Sequence, residues 1–179
     1  MKSIKRFLTT LLALALIVTA LASCGTDDAL VRHELDEIGL SLALPKTFRY
    51  EEYSQRGIYA TYTNERSSCV VLVHYFDNES LLQNEGLGGD ISLENYIDYS
   101  LRVNHGIEGI DIEYNSKGNA ATFSFLSAES EEEEPQFIYF CVIKSDKAIY
   151  LIQMICSATD SEFYEAEFER WNKELRISD

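Results

Sequence analysis

Phe137-Ile138-Tyr139-Phe140-Cys141-Val142-Ile143, then Lys144-Ser145-Asp146-Lys147, then Ala148-Ile149-Tyr150-Leu151-Ile152-Gln153-Met154-Ile155-Cys156, is the stretch whose reading decides the fold. Two apolar arms, rich in β-branched and aromatic residues, flank a short polar turn. That is the pattern of an antiparallel hairpin. Neither arm alternates cleanly with polar residues, so both are expected to be central strands covered on two faces. With Ser145-Asp146 at the turn centre, Cys141 faces Tyr150.

Upstream of the hairpin, Ile110, Ile112 and Tyr114 alternate with charged neighbours, residues 115–119 turn the chain, and Ala121, Phe123 and Phe125 alternate on the way back, which predicts another hairpin. Earlier still, Ile38 to Leu44 alternates until Pro45 stops it, and Gly57 to Thr63 and Cys69 to Phe76 read as two further strands. Leu82 to Asp90 holds Gly86, Gly88 and Gly89 and reads as a mobile loop. Ser92 is a good N-cap for a helix carrying Leu93, Ile97, Leu101 and Asn104 on one face and ending at His105-Gly106. Downstream, Thr159-Asp160-Ser161-Glu162 matches a capping box, and the helix it opens repeats Tyr164, Phe168, Trp171 and Leu175 on one stripe, with Glu162, Glu165, Glu169 and Lys173 opposite.

The order is β-β-β-α-β-β-β-β-α, in one domain over 38–179. It predicts an α+β fold: an antiparallel sheet of about six to seven strands packed with two main helices, one on each side.

The amino terminus has a different composition. Met1 to Arg6 is cationic, and Phe7 to Ala22 is apolar but for Thr9, Thr10 and Thr19. That is the layout of a secretory signal peptide, and the run is short for a membrane span, which takes about 20 residues. Its end, Leu21-Ala22-Ser23-Cys24, resembles the lipobox of bacterial lipoproteins at every position. The resemblance implies removal of residues 1–23, a lipid on the Cys24 thiol, and a short tether over 24–37 that holds the domain at the extracytoplasmic face of the cell membrane. Two acyl chains suffice for stable anchoring. The competing reading is an uncleaved signal anchor in which Cys24 is incidental.

The 179 residues carry 15 Lys+Arg against 30 Asp+Glu, a formal charge of −15. Lys2, Lys5 and Arg6 lie in the leader, which has no acidic residue, so 12 cations face 30 carboxylates beyond it, a formal −18. A surface so negative repels phosphate backbones and anionic headgroups, which excludes nucleic acid as a natural partner.

Three features resemble the Mog1/PsbP-like fold, on which lipoproteins of the DcrB type are built: the opening Ile38-Gly39-Leu40-Ser41-Leu42-Ala43-Leu44-Pro45, the late hairpin with Ala148-Ile149-Tyr150, and the closing helix with Phe168 and Trp171. The resemblance spans about 36–178 and implies an accessory or partner-binding protein. It carries no functional residue onto this chain.

Chemical constellations are sparse. Beyond Cys24 there are Cys69, Cys141 and Cys156, an odd count that leaves at least one thiol free. The hairpin register separates Cys141 from Cys156 by ~20 Å, against the ~5.5 Å between Cα atoms that a disulfide needs. Pairing of Cys69 with either remains open, and buried reduced thiols acting as small hydrophobes are the default expectation. His33, His74 and His105 show no metal-ligand spacing, so no metal is expected, and no cofactor motif is present. Glu129 and Glu131 to Glu134 form an acidic run expected to be a solvated loop, without the interleaved glycine of a calcium loop. The glycine loop at 86–89 lacks the lysine of a phosphate cradle. Among the eleven tyrosines, Tyr50, Tyr53, Tyr59 and Tyr62 lie close together, and an exposed subset is the candidate surface for an envelope protein, a peptide or a glycan.

The functional expectation is therefore a lipid-anchored, non-catalytic accessory or binding module of the envelope. The alternative is an envelope hydrolase whose site is assembled only in three dimensions.

Overall fold

The computed structural model describes residues 29–51, 57–64, 66–77, 79, 81, 87, 91–105, 107–127 and 134–178. The expected signal peptide, Cys24, Tyr53, most of the acidic run and most of the glycine loop lie outside the described residues.

Among the described residues, ten strands form two antiparallel sheets. β1 (Leu30–Leu35), β2 (Leu40–Pro45) and β10 (Arg176–Ile177) make a small one, ordered β1-β2-β10. The large one is ordered β3-β4-β5-β9-β8-β7-β6, from β3 (Phe48–Glu51), β4 (Ile58–Asn64), β5 (Val70–Asp77), β6 (Glu113–Tyr114), β7 (Ala120–Leu126), β8 (Gln136–Lys144) and β9 (Ala148–Ser157). The helices are α1 (Leu93–Ser100) and α2 (Ser161–Asn172).

The central position of β8 and β9 follows from their composition. Phe137, Tyr139 and Cys141 join Tyr150, Ile152, Met154 and Cys156 in one core cluster, together with Leu40, Leu42 and Leu44 of β2 and Tyr164, Phe168 and Trp171 of α2. Ile138, Phe140 and Val142 join Ile149 and Leu151 in the other, with Leu93, Tyr96 and Ile97 of α1. Nearly every apolar residue of these strands thus packs on one side or the other, and the helices cover opposite faces as expected. Phe168 is 0% exposed and Trp171 2%, so the stripe on α2 is core.

Four local expectations are corrected. The predicted tether over 24–37 overlaps β1, whose Leu30 to Leu35 pair with Pro45 to Leu40. An outer strand with one wet face tolerates the polar Arg32, His33 and Glu34 that disguise it, and Arg32 is held by Ser41 Oγ at 3.0 Å and Glu174 Oε2 at 3.1 Å. The long hairpin is shifted by two positions, with Cys141 opposite Ile152 and Phe137 opposite Cys156. Ser145 causes the shift: its hydroxyl accepts from Lys147 N–H at 3.2 Å and Ala148 N–H at 3.1 Å, which centres the turn on Asp146-Lys147. The capping box does not form. A 3-10 turn, Ala158–Asp160, precedes α2, and Ser157 Oγ takes up the N–H of Thr159 at 3.4 Å. Finally, Ile110 and Ile112 lie outside β6, which is reduced to Glu113–Tyr114.

At α1 the expectation holds, since Ser92 Oγ accepts from Asn95 N–H at 3.1 Å. The helix continues as a π-type turn, Leu101–His105.

A candidate cleft between the sheet edge and the last helix

The edge strand β6, beside β7, has only two residues, so the sheet edge there is short. The result is an open cleft of about 620 Å³. Its floor is Thr122 and Ser124 of β7 with Tyr139 of β8. One wall is Glu165, Glu169 and Asn172 of α2 with Lys173 just past its end, and the other is Ile110 and Asp111 before β6 with Glu113 of β6. A second depression of about 360 Å³ shares Glu113, Thr122 and Asn172 with it and continues to Tyr114, Ile143 and Leu175.

The helical pattern explains the walls. The stripe Tyr164, Phe168 and Trp171 points into the core, so Glu165 and Glu169, one position on from the first two, fall on the flank that faces β7. Tyr139 alternates inward with Phe137 and Cys141 but ends its ring at the cleft, where its hydroxyl meets Thr122 and Asn172. Burial pushes this phenol up to about 12, so it stays neutral and serves as a hydrogen-bonding group at the floor.

Four carboxylates thus face a single lysine around a polar floor. No histidine lines either depression among the described residues. The thiol at the second one, Cys141, is 2% exposed and burial pushes it up to about 12, which keeps it a protonated, unreactive hydrophobe. The arrangement is suited to holding a ligand that donates hydrogen bonds and carries positive charge.

The tyrosines singled out in the sequence are divided by the structure. Tyr50 is 51% exposed on the edge strand β3, its ring 5.6 Å from that of Tyr62. Tyr62 itself is 1% exposed and packs 4.8 Å from the His33 ring, so it belongs to the core and not to a partner surface. Tyr59 is half-buried, at an irregularity between Ile58 and Ala60 that turns it to the same face as Tyr62. Its hydroxyl donates to Glu37 Oε2 at 2.7 Å, and burial and then Glu37 push it up to about 12. The cleft was missed because its parts come from three separate stretches of chain; the one available signal was the acidic flank of the closing helix.

No protein-family model matches the chain, and no curated protein matches its sequence. Solved structures do. The solution structure of the cyanobacterial PsbP protein CyanoP from Synechocystis is similar with a TM-score of 0.61 at 10% identity, over 84% of this chain and 94% of that one. The Ran-binding protein Mog1p of Saccharomyces cerevisiae gives a TM-score of 0.55 at 12% identity, over 84% and 96%. The fold is the Mog1/PsbP-like α+β fold. At such identity the likeness is one of fold alone.

Proposed function

We propose that the protein is a membrane-tethered lipoprotein of the envelope that acts as a non-catalytic binding module, with the cleft between β7 and α2 receiving a cationic segment of its partner. The carrying observation is the set Asp111, Glu113, Glu165 and Glu169 around the neutral phenol of Tyr139, with one lysine beside them. Carboxylates accept charge-assisted hydrogen bonds from lysine and arginine, which are stronger than neutral ones. Tethering is supported by the Leu21-Ala22-Ser23-Cys24 sequence after an apolar run.

Two measurements test the reading. The wild-type chain, expressed with its leader, is expected to gain the mass of a lipid, and Cys24→Ala to lose both that mass and its membrane association. A Cys24→Ala variant that stays in the membrane, with no lipid on the wild type, removes the anchor. Capture of envelope proteins by wild type and by Glu165→Lys/Glu169→Lys tests the cleft. The expected result is a defined set of partners that the charge-reversed variant loses, whereas equal recovery by both places binding elsewhere.

A further inference from the structure

We propose that Cys69 and Cys156, which like Cys141 are buried free thiols in the structure, form on oxidation a disulfide that ties β5 to β9, with Cys141 left as a free thiol. Backbone register carries the argument. The last paired residues of the β5–β9 ladder are Val70 and Ile155, and one further step sets Cys69 against Cys156. The kind of pair follows from where Cys69 directs its backbone. Its carbonyl accepts from Asn64 N–H at 3.1 Å, on the β4 side. In an antiparallel strand a residue turns its N–H and C=O to the same side, so Cys69 makes no ladder bond towards β9, and Cys69 and Cys156 are a non-hydrogen-bonded pair. Such pairs bring Cα atoms to about 4.5 Å, the closest approach in an antiparallel sheet, and a disulfide spans ~4.4–6.8 Å.

Both side chains also point to the same face. Cys69 and Cys156 belong to one core cluster, beside Val71 and Met154, and each is 1% exposed. Cys141 is set apart, opposite Ile152 and so four positions along β9 from Cys156, which at about 3.3 Å per residue is far out of reach.

The chemistry is thiol–disulfide exchange, with a small-molecule or dithiol-protein disulfide as the oxidant. One cysteine thiolate attacks a sulfur of that disulfide, releases one thiol and leaves a mixed disulfide. The second thiolate attacks the protein sulfur of the mixed disulfide and releases the second thiol. Two electrons and two protons pass from the cysteines to the oxidant. Burial raises both thiols, so the exchange belongs to folding, before the core closes over them.

The test supplies the oxidant directly, so it stands whatever the protein's compartment. The full chain in detergent is reduced, unfolded, refolded against oxidised and reduced glutathione, alkylated in denaturant so that buried thiols react, and digested with trypsin without reduction. The four cysteines fall on four peptides: 7–32 with Cys24, 67–102 with Cys69, 118–144 with Cys141 and 148–170 with Cys156. The expected product links 67–102 to 148–170 and leaves 118–144 alkylated. Recovery of 67–102 and 148–170 unlinked, or a link from either to another peptide, overturns the assignment. Thermal unfolding gives the second readout. Reductant is expected to lower the wild-type midpoint by about 5–15 °C. It should have the same effect on Cys141→Ala and none on Cys69→Ala or Cys156→Ala. A wild-type midpoint indifferent to reductant also overturns it.

Discussion

His74 is a residue whose surroundings were invisible in the sequence and carry a consequence. It lies on β5 with its ring 6.1 Å from that of Phe76, and its Nε2 is buried without a hydrogen-bond partner among the described residues. Burial holds its pKa below 6.5 and outweighs the neighbouring Gly57 and Gln153, which act in the other direction. A lowered folded value means that the unfolded chain binds the proton first as pH falls. The contribution is therefore complete above about 6.5 and is lost as pH drops from there towards the folded value, with a limiting slope of about 1.4 kcal/mol per pH unit for one proton. Urea midpoints at pH 7.5 and 5.5 should fall more steeply for wild type than for His74→Gln; equal falls would assign the acid sensitivity to other groups, such as His33, which burial lowers as well. The sequence located His74 on a strand correctly, because strand membership is written in neighbouring residues. It gave no access to the groups beside the ring, which include Gly57 before β4 and Gln153 of β9. Tyr59 carries the same lesson: its strand was legible, whereas its face was set by an irregularity between Ile58 and Ala60 that only pairing with β5 reveals.

Among the elements, legibility followed burial. β8 and β9 declare themselves because both faces are covered and nearly every residue must be apolar. β1 and β10 do not. The first has one wet face, and the second is two residues long, paired with β2 through Arg176 and Ile177 and in contact with the turn before β2 through Ser178. That contact has a specific weak point. Gly39 has φ +64°, in the left-handed region, and a Cβ there would lie 2.6 Å from the carbonyl oxygen of Ser178, while Ser178 N–H donates to Gly39 O at 2.8 Å. Gly39→Ala should therefore cost about 2 kcal/mol, from the disfavoured backbone conformation together with displacement of β10. Chemical denaturation gives the magnitude, and hydrogen exchange should show faster exchange at Ile177 and Ser178 before any change in β8. Unchanged protection at those amides would mean that the small sheet does not depend on this turn. The long hairpin shows the limit of legibility at this scale: its two arms were plain, but its register was set by one serine hydroxyl in the turn, which shifts every cross-strand pair and so decides which cysteine meets which.

For the whole molecule the question is whether the formal −18 beyond the leader acts as a diffuse field or through one site. A diffuse field attracts any cation to every face, weakens over a Debye length of about 8 Å at physiological salt, and responds alike to the removal of any two charges. A site responds to its own. Glu165 and Glu169 line the cleft, whereas Glu34 on β1 and Glu94 on α1 are exposed and line neither that cleft nor its neighbour. The two double variants Glu165→Gln/Glu169→Gln and Glu34→Gln/Glu94→Gln carry the same net charge. Titrated with a short lysine-rich peptide at ~50 mM salt, the first is expected to bind about 3- to 10-fold more weakly than the second, since close charge pairs outweigh distant ones. Raising salt to ~500 mM should weaken the wild type and shrink the gap between the variants, because the carboxylates are exposed and screened. Equal affinities at low salt would mean that the cleft is one stretch of a uniformly acidic surface, and the binding assignment would then fall while the fold and the anchor stood untouched.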